Sequence, residues 1–183
     1  MLKKMTKSSL SIWLAVGMAA APALLLAASS PGAAVLDKLE DFHANAVKAS
    51  ASASDLASLS HTENSGWESQ ADQWITLKAS INDMGRQLFE LEGLRGSATP
   101  AERDAIDHAA HHLKQMADNA EAAIKFFNDN HATLWRPDYQ KYVGNIAEES
   151  ARLSTSVGQF IRLEDLRARE KQIENMIGSE AVD

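Results

Sequence analysis

Apolar residues recur at alternating intervals of three and four along most of the chain after residue 34. The segment beginning at Trp67 has two interleaved series with a spacing of seven, and seven of their eight positions are apolar: Trp67, Trp74, Ile81, Leu88 and Gln70, Leu77, Met84, Leu91. This spacing is typical of an amphipathic helix with a narrow apolar stripe, as in a coiled coil. Because we find no alternating strand pattern, the sequence predicts an all-α fold.

Helix boundaries are marked by residues that favour caps and turns. Gly93 and Gly96 follow the second segment, and glycine tolerates the left-handed conformation that closes a helix. Residues 99–102, Thr-Pro-Ala-Glu, have the order of a capping box with proline at the first helical position. We expect the third helix to run from there to about Asn128.

The last helix is predicted to be the longest. It starts at Pro137, and no helix breaker appears before Gly178, so it spans about 40 residues or ~60 Å, against ~42 Å for the second helix. Its far end therefore overhangs the others, and that end carries apolar residues that need a partner, namely Leu163, Leu166, Ile173 and Ile177. A stripe of Gly144, Ala151 and Gly158 on the same helix would allow another helix to approach closely.

The first helix has the same spacing from Val35 to Leu56. Residues 46–66 include a low-complexity Ala/Ser run that could equally fray or act as a flexible linker. Four amphipathic helices joined by short loops predict an antiparallel four-helix bundle or a pair of helical hairpins. We expect residues 35–183 to form this single domain.

Residues 1–34 have the pattern of a secretory signal. Lys3, Lys4 and Lys7 precede an uncharged run from residue 10 to residue 28, and small residues follow it. Cleavage after Ser29 or after Ala34 would fit; the alternative is an uncleaved membrane anchor, which the interruption at Pro22 disfavours. The pattern predicts export to the periplasm or the extracellular space, without membrane attachment after cleavage.

Composition excludes several functions for this 183-residue chain. Removing the first 34 residues changes the formal charge from -7 to -10, with 15 basic against 25 acidic side chains. An acidic body repels phosphate backbones, so we expect no nucleic-acid partner. The chain has no cysteine, which excludes disulfides, thiolate metal sites, lipidation at cysteine and covalent haem attachment.

Two clusters are candidates for ligand binding. His108, His111 and His112 lie within two turns, and His108 and His112 share a helix face, as metal-chelating histidines do. A metal site needs three or four convergent ligands, however, and we expect these side chains to point into solvent on the helix surface. Trp67 and Trp74, together with Leu134 and Trp135, could line a pocket, although aromatic residues at this spacing usually belong to the core.

The sequence contains no convergent set of acid, base and nucleophile, so we expect no catalytic residues, no cofactor, no bound metal and no enzymatic activity. It predicts an exported acidic helical-bundle protein, most simply a protein-interaction or structural module. The partner would be another protein or a second copy, bound through the long last helix. The alternative function is metal or small-ligand binding by the His108/His112 face or by the Trp67/Trp74 end.

Overall fold

The computed structural model describes residues 31–62 and 66–180. It contains four helices, α1 (Pro31–Ser60), α2 (Trp67–Leu94), α3 (Pro100–Asp129) and α4 (Pro137–Glu180), and a 3-10 turn at His131–Thr133. These ranges contain no strand, which confirms the all-α prediction. Most of the predicted signal segment, residues 1–30, lies outside the described residues. In the described ranges, no helix combines the length and the apolar composition that crossing a membrane requires.

The four helices pack as the predicted antiparallel bundle. Helix α1 lies against α2 and α4, α3 packs mainly against α4, and the contact between α2 and α3 is the least extensive of the four. Two polar contacts show that α1 runs antiparallel to both of its neighbours. Lys38 near the start of α1 pairs with Glu90 near the end of α2. At the opposite end of the bundle, the Gln140 side chain donates to the Ser60 carbonyl oxygen at 3.1 Å.

Small residues form the central part of the α1 core face. Ala46, Ala49 and Ala53 are fully buried, between Phe42 and Leu56 at the two ends of the same stripe. The sequence of the Ala/Ser-rich run is compatible with a frayed helix or a flexible linker, and in the structure this run is helical as far as Ser60. Alanine is the best helix former, and its short side chain lets neighbouring helices approach the α1 backbone.

The start of α3 has the capping box that its sequence predicts. The Glu102 backbone N–H donates to Thr99 Oγ1 at 3.2 Å, and the Thr99 backbone N–H donates to Glu102 Oε2 at 2.6 Å. Both bonds satisfy amide groups that have no partner within the helix. Helix α3 then ends at Asp129, one residue beyond the predicted end.

The apolar spacing of the last helix predicts a core stripe of Tyr142, Ile146, Leu153, Phe160 and Leu163, and the structure fully buries only part of it. The core residues are Tyr139, Val143, Ile146, Leu153 and Val157, whereas Tyr142 is only half-buried and Leu163 is 45% exposed. The reason is that α4 contacts both α1 and α3, so its core face is centred between them. Fully buried positions on α4 end at Val157, Phe160 and Ile161 still pack against the core while partly exposed, and the apolar residues from Leu163 onward are exposed.

Close approach of α1 and α4 occurs at one of the two glycines in the predicted stripe. A Cβ atom at Gly158 would lie 2.8 Å from His43 Nε2, closer than real Cβ contacts allow. At Gly144 a Cβ atom would meet nothing within 4 Å. Gly158 therefore provides the space that the His43 ring occupies, and Gly144 has no such role.

A buried hydrogen bond links α2 to α4. The Trp74 indole N–H donates to the Tyr139 hydroxyl oxygen at 2.9 Å, and Tyr139 is fully buried. Burial raises the pKa of Tyr139 from its ordinary value of 10.0 to about 12, although the bond from Trp74 acts in the opposite direction. The phenol is therefore held neutral across the physiological range.

This shift predicts a loss of stability in alkali. An acid whose pKa is higher in the folded chain stabilises the fold below its unfolded pKa of about 10, and that contribution of up to about 3 kcal/mol is lost as the pH rises towards 12. Tyr139→Phe removes this titration but leaves the Trp74 N–H without its acceptor, so the variant should be about 1 kcal/mol less stable at pH 8. Urea unfolding at pH 8 and pH 11 should show the gap between the two proteins narrowing at high pH. An unchanged gap would contradict the shifted pKa.

Candidate functional site

The end of α4 extends beyond the other three helices. We call residues 162–180 the overhang; every residue from 165 to 178 is exposed. At a rise of 1.5 Å per residue these 19 residues are about 28 Å long, which is five helical turns. The predicted long last helix is thus confirmed, and α4 has 44 residues in all.

Large apolar side chains on the overhang are open to solvent. Their exposed fractions are 45% for Leu163, 54% for Leu166, 52% for Ile173 and 63% for Ile177. With Glu170 between Leu166 and Ile173, they follow the spacing 3-4-3-4 of a coiled-coil stripe. Most helical stability in proteins comes from packing of an apolar face, and apolar residues aligned on one exposed face commonly mark an interaction surface.

Charged residues surround this stripe. The Arg167 guanidinium Nη1 lies 2.5 Å from Glu164 Oε1 within the same helix. Arg162, Arg169, Lys171 and Glu174 lie farther along the overhang, all exposed. The overhang therefore carries both positive and negative side chains, whereas acidic side chains outnumber basic ones in the chain as a whole.

The three histidines of α3 do not share one environment. His108 and His111 are exposed, as predicted, and they bond within α3: His108 Nδ1 lies 2.7 Å from the Asp104 carbonyl oxygen, and His111 Nε2 lies 2.8 Å from Gln115 Nε2. The outward direction predicted for His112 is wrong. Its side chain is only 15% exposed because it faces α4.

His112 and Glu149 form a half-buried pair between α3 and α4. His112 Nδ1 lies 2.6 Å from Glu149 Oε2, and the Glu149 side chain is 12% exposed. A carboxylate oxygen only accepts hydrogen bonds, so Nδ1 is the donor nitrogen of this pair. An open cleft of about 400 Å³ adjoins His112, and Ser156 also lines it. The Ser156 hydroxyl donates to the Leu153 carbonyl oxygen at 3.1 Å, so it bonds within α4 and not to His112.

The described residues contain no group of three or more His, Asp or Glu side chains arranged to hold a metal ion. His43, on α1, contacts Gly158 of α4. His131 stacks on Trp67 at the opposite end of the bundle, with ring centroids 5.0 Å apart. The structure thus places His108, His112 and His43 in separate contacts, and the chemistry of the His112–Glu149 pair is that of a tie between two helices.

The tryptophan cluster divides into core and surface residues. Trp74 and Leu134 are buried, as expected for core residues. Trp67 and Trp135 are 44% and 53% exposed, so neither belongs to the core. Trp67 is the first residue of α2, and its ring stacks on His131 just beyond the end of α3.

A groove runs between α2 and α3, on the side of the bundle where the helices are least closely packed. It has two parts of about 510 Å³ and 830 Å³ that share Ile81, Asn82 and Ala117. Trp74 and Ile124 line one part, and Leu88 and Phe89 line the other. We call this surface the α2–α3 groove; its two volumes are in the range of small-molecule sites.

Sequence reasoning missed this groove. Phe89, which lines the groove and is 81% exposed, directly follows the heptad position Leu88 of α2; Ile75 has the corresponding place after Trp74 but does not line the groove. An apolar residue one place after the stripe widens the apolar face towards a neighbouring helix. That signal was present in the sequence, but its meaning depends on α3 lying at a distance from α2, which periodicity does not report.

Charge pairs hold the bundle end from which the overhang extends. Arg95, just after α2, binds Asp107 of α3 through two hydrogen bonds of 2.6 and 2.8 Å. The bond from Arg95 lowers the pKa of Asp107, partly offset by desolvation. This pair contributes stability above the ordinary pKa of the carboxyl group, and the contribution is lost as the pH falls through the lowered pKa.

The His112–Glu149 pair predicts different costs for two neighbouring substitutions. Glu149→Ala removes the acceptor of a half-buried imidazole N–H and should lower the free energy of unfolding by about 1–2 kcal/mol. Glu148→Ala removes only an exposed contact with Arg152 and should change it by about 0.5 kcal/mol or less. Urea unfolding at pH 7 measures both. Equal effects of the two substitutions would show that the pair does not tie α3 to α4.

Comparisons of the chain with protein-family models, with curated protein sequences and with solved structures found no match.

Proposed function

We propose that this chain is an exported, non-catalytic protein-interaction module and that the overhang of α4 is its binding element. The observation that carries the proposal is the row of exposed Leu and Ile side chains on a helix that continues past the bundle. Burying one such side chain contributes about 1.5–3 kcal/mol. Several of them on one face supply a driving force for association that the isolated chain leaves unused.

The rest of the chain supports this proposal in two ways. The bundle is a rigid base for α4, since Leu153 and Val157, just before the overhang, are almost fully buried. The N-terminal pattern supports export, which would place the overhang outside the cytoplasm. Compartments outside the cytoplasm are oxidising, and the chain has no cysteine that could be oxidised there. The polar pairs of the bundle tie helices to each other, and this favours a binding module over a catalyst.

Site-specific photo-crosslinking tests the binding element. A photoreactive amino acid replaces Leu166 or Ile173 on the apolar face in one pair of variants, and Ala168 on the opposite face in the control. In the cells that produce the protein, the first two should form covalent adducts with a protein, detected as a shifted band and identified by mass spectrometry. The Ala168 variant should form few. Equal labelling at the three positions, or none, would overturn the proposal.

A second candidate function is the binding of a small apolar ligand in the α2–α3 groove. The favouring observation is the cleft of about 510 Å³ beside Trp74, although Trp67, Leu134 and Trp135 do not line it. Ile81 and Ile124 supply an apolar wall, and Lys78 and Lys125 line the cleft together with Glu121 and Asp129. The lining suits an apolar molecule whose anionic group meets one of the lysines.

The fluorescent probe 1-anilinonaphthalene-8-sulfonate has this chemistry and tests the groove. Its emission should rise with the full chain and saturate. Ala117→Leu fills the shared part of the groove with a larger side chain at an exposed position and should weaken probe binding about tenfold, while the helical circular-dichroism signal stays constant. Ala168→Leu on the overhang is the matched control. Unchanged probe binding by Ala117→Leu would exclude the groove.

A further inference from the structure

We propose that the partner of the overhang is a second copy of this chain and that two overhangs pair antiparallel, with Arg167 of each copy opposite Glu174 of the other. This inference rests on the proposed function, because it needs the overhang to be a binding element. It adds the identity of the partner, the relative direction of the two helices and their register.

The stripe determines which residues can face each other. Leu163, Leu166, Glu170, Ile173 and Ile177 occupy successive core positions of a two-stranded coiled coil. Charged residues next to the stripe, Arg162, Arg167, Arg169 and Glu174, then flank the interface. Opposite charges at flanking positions favour a given arrangement, whereas like charges or paired carboxylates in the core disfavour it.

A parallel pair in register is disfavoured twice. It places Glu170 of one copy directly against Glu170 of the other in the core, where two carboxylates repel and lose hydration. It also brings Arg162 of each copy next to Arg167 of the other. The only favourable flanking pair in that arrangement is Arg169 with Glu174.

The antiparallel arrangement has one register that satisfies the charges and uses the full overhang. When residue 166 faces residue 177 of the second copy, Leu166 packs on Ile177 and Ile173 packs on the methylene stem of Glu170. The flanking pairs are then Arg167 with Glu174, formed twice by symmetry. A slip of one heptad would instead place Arg167 against Arg167 and Arg169 against Arg169.

The shape of the monomer permits this pairing. Residues 165–178 are exposed on all sides, so a second helix can lie along the stripe without displacing any helix of the bundle. In the favoured register the two bundles lie at opposite ends of the paired overhangs. The dimer is then a dumbbell about 110 Å long, against ~66 Å for a monomer whose longest dimension is α4.

Light scattering coupled to size-exclusion chromatography tests the pairing with charge reversals in the full chain. The wild type should dimerise as its concentration rises, and Arg167→Glu or Glu174→Arg alone should raise the dimer dissociation constant about tenfold or more, since each replaces two attractions by two repulsions. An equimolar mixture of the two variants should dimerise again, because the mixed dimer restores opposite charges at both positions. No recovery in the mixture would overturn the proposed register.

Arg169→Glu is the matched control, with the same change of net charge. In the antiparallel register Arg169 lies opposite the uncharged Met176, so the dissociation constant should change about twofold or less. In a parallel pair this substitution would disrupt the contact with Glu174, and Arg167→Glu would relieve a repulsion. Small-angle scattering that gives a dimer no longer than the monomer would also overturn the antiparallel arrangement.

The failure of this inference can be told apart from the failure of the proposed function. A wild type that stays monomeric at high concentration, while a residue introduced at Leu166 crosslinks to a different protein, would refute self-pairing and leave the overhang as a binding element. Adducts between two copies of this chain support both. An overhang that forms no adduct with any protein would overturn the proposed function and this inference together.

Discussion

Helix α1 presents alanine instead of larger side chains at Ala46, Ala49 and Ala53, and the packing of the other helices depends on this choice. A narrow α1 lets α2 and α4 come close on either side of it, and both have extensive contacts with α1. The larger core residues of α2 and α4, such as Leu77 and Leu153, then fill the remaining space. Helix α3 packs mainly on α4. The pairs α1–α2, α1–α4 and α3–α4 are therefore closely packed, and a groove remains between α2 and α3.

Polar contacts add specificity to packing that apolar stripes alone would leave degenerate. Stripes of Leu, Ile and Ala would accept several arrangements of four helices. The Trp74–Tyr139 bond joins α2 to α4 across the core and the His112–Glu149 pair joins α3 to α4, so both are satisfied only when α4 has the observed position and height relative to these helices. A mismatched arrangement would leave these buried groups without partners, at a cost of about 1–3 kcal/mol for each group.

The sequence predicted those features that depend on neighbours along the chain. The 3-4 spacing of α2, the Thr99–Glu102 capping box and the long uninterrupted run after Pro137 are local signals, and each has the expected structure. The errors concern positions between helices. His112 was expected in solvent because Ile106 and Leu113 define one core face of α3, but α4 covers the adjacent face as well. Similarly, the groove depends on the separation of α2 from α3, and no single helix encodes that distance.

The contact between Gly158 and His43 makes the identities of two distant residues depend on each other. The imidazole of His43 fills the volume that any side chain at residue 158 would take. In related chains, a larger residue at 158 would therefore be compatible only with a smaller residue at 43, and the two positions should vary as a pair. Because residue 158 lies just before the overhang, an exchange at only one of the two positions would change how closely α1 and α4 approach at the point where the overhang leaves the bundle.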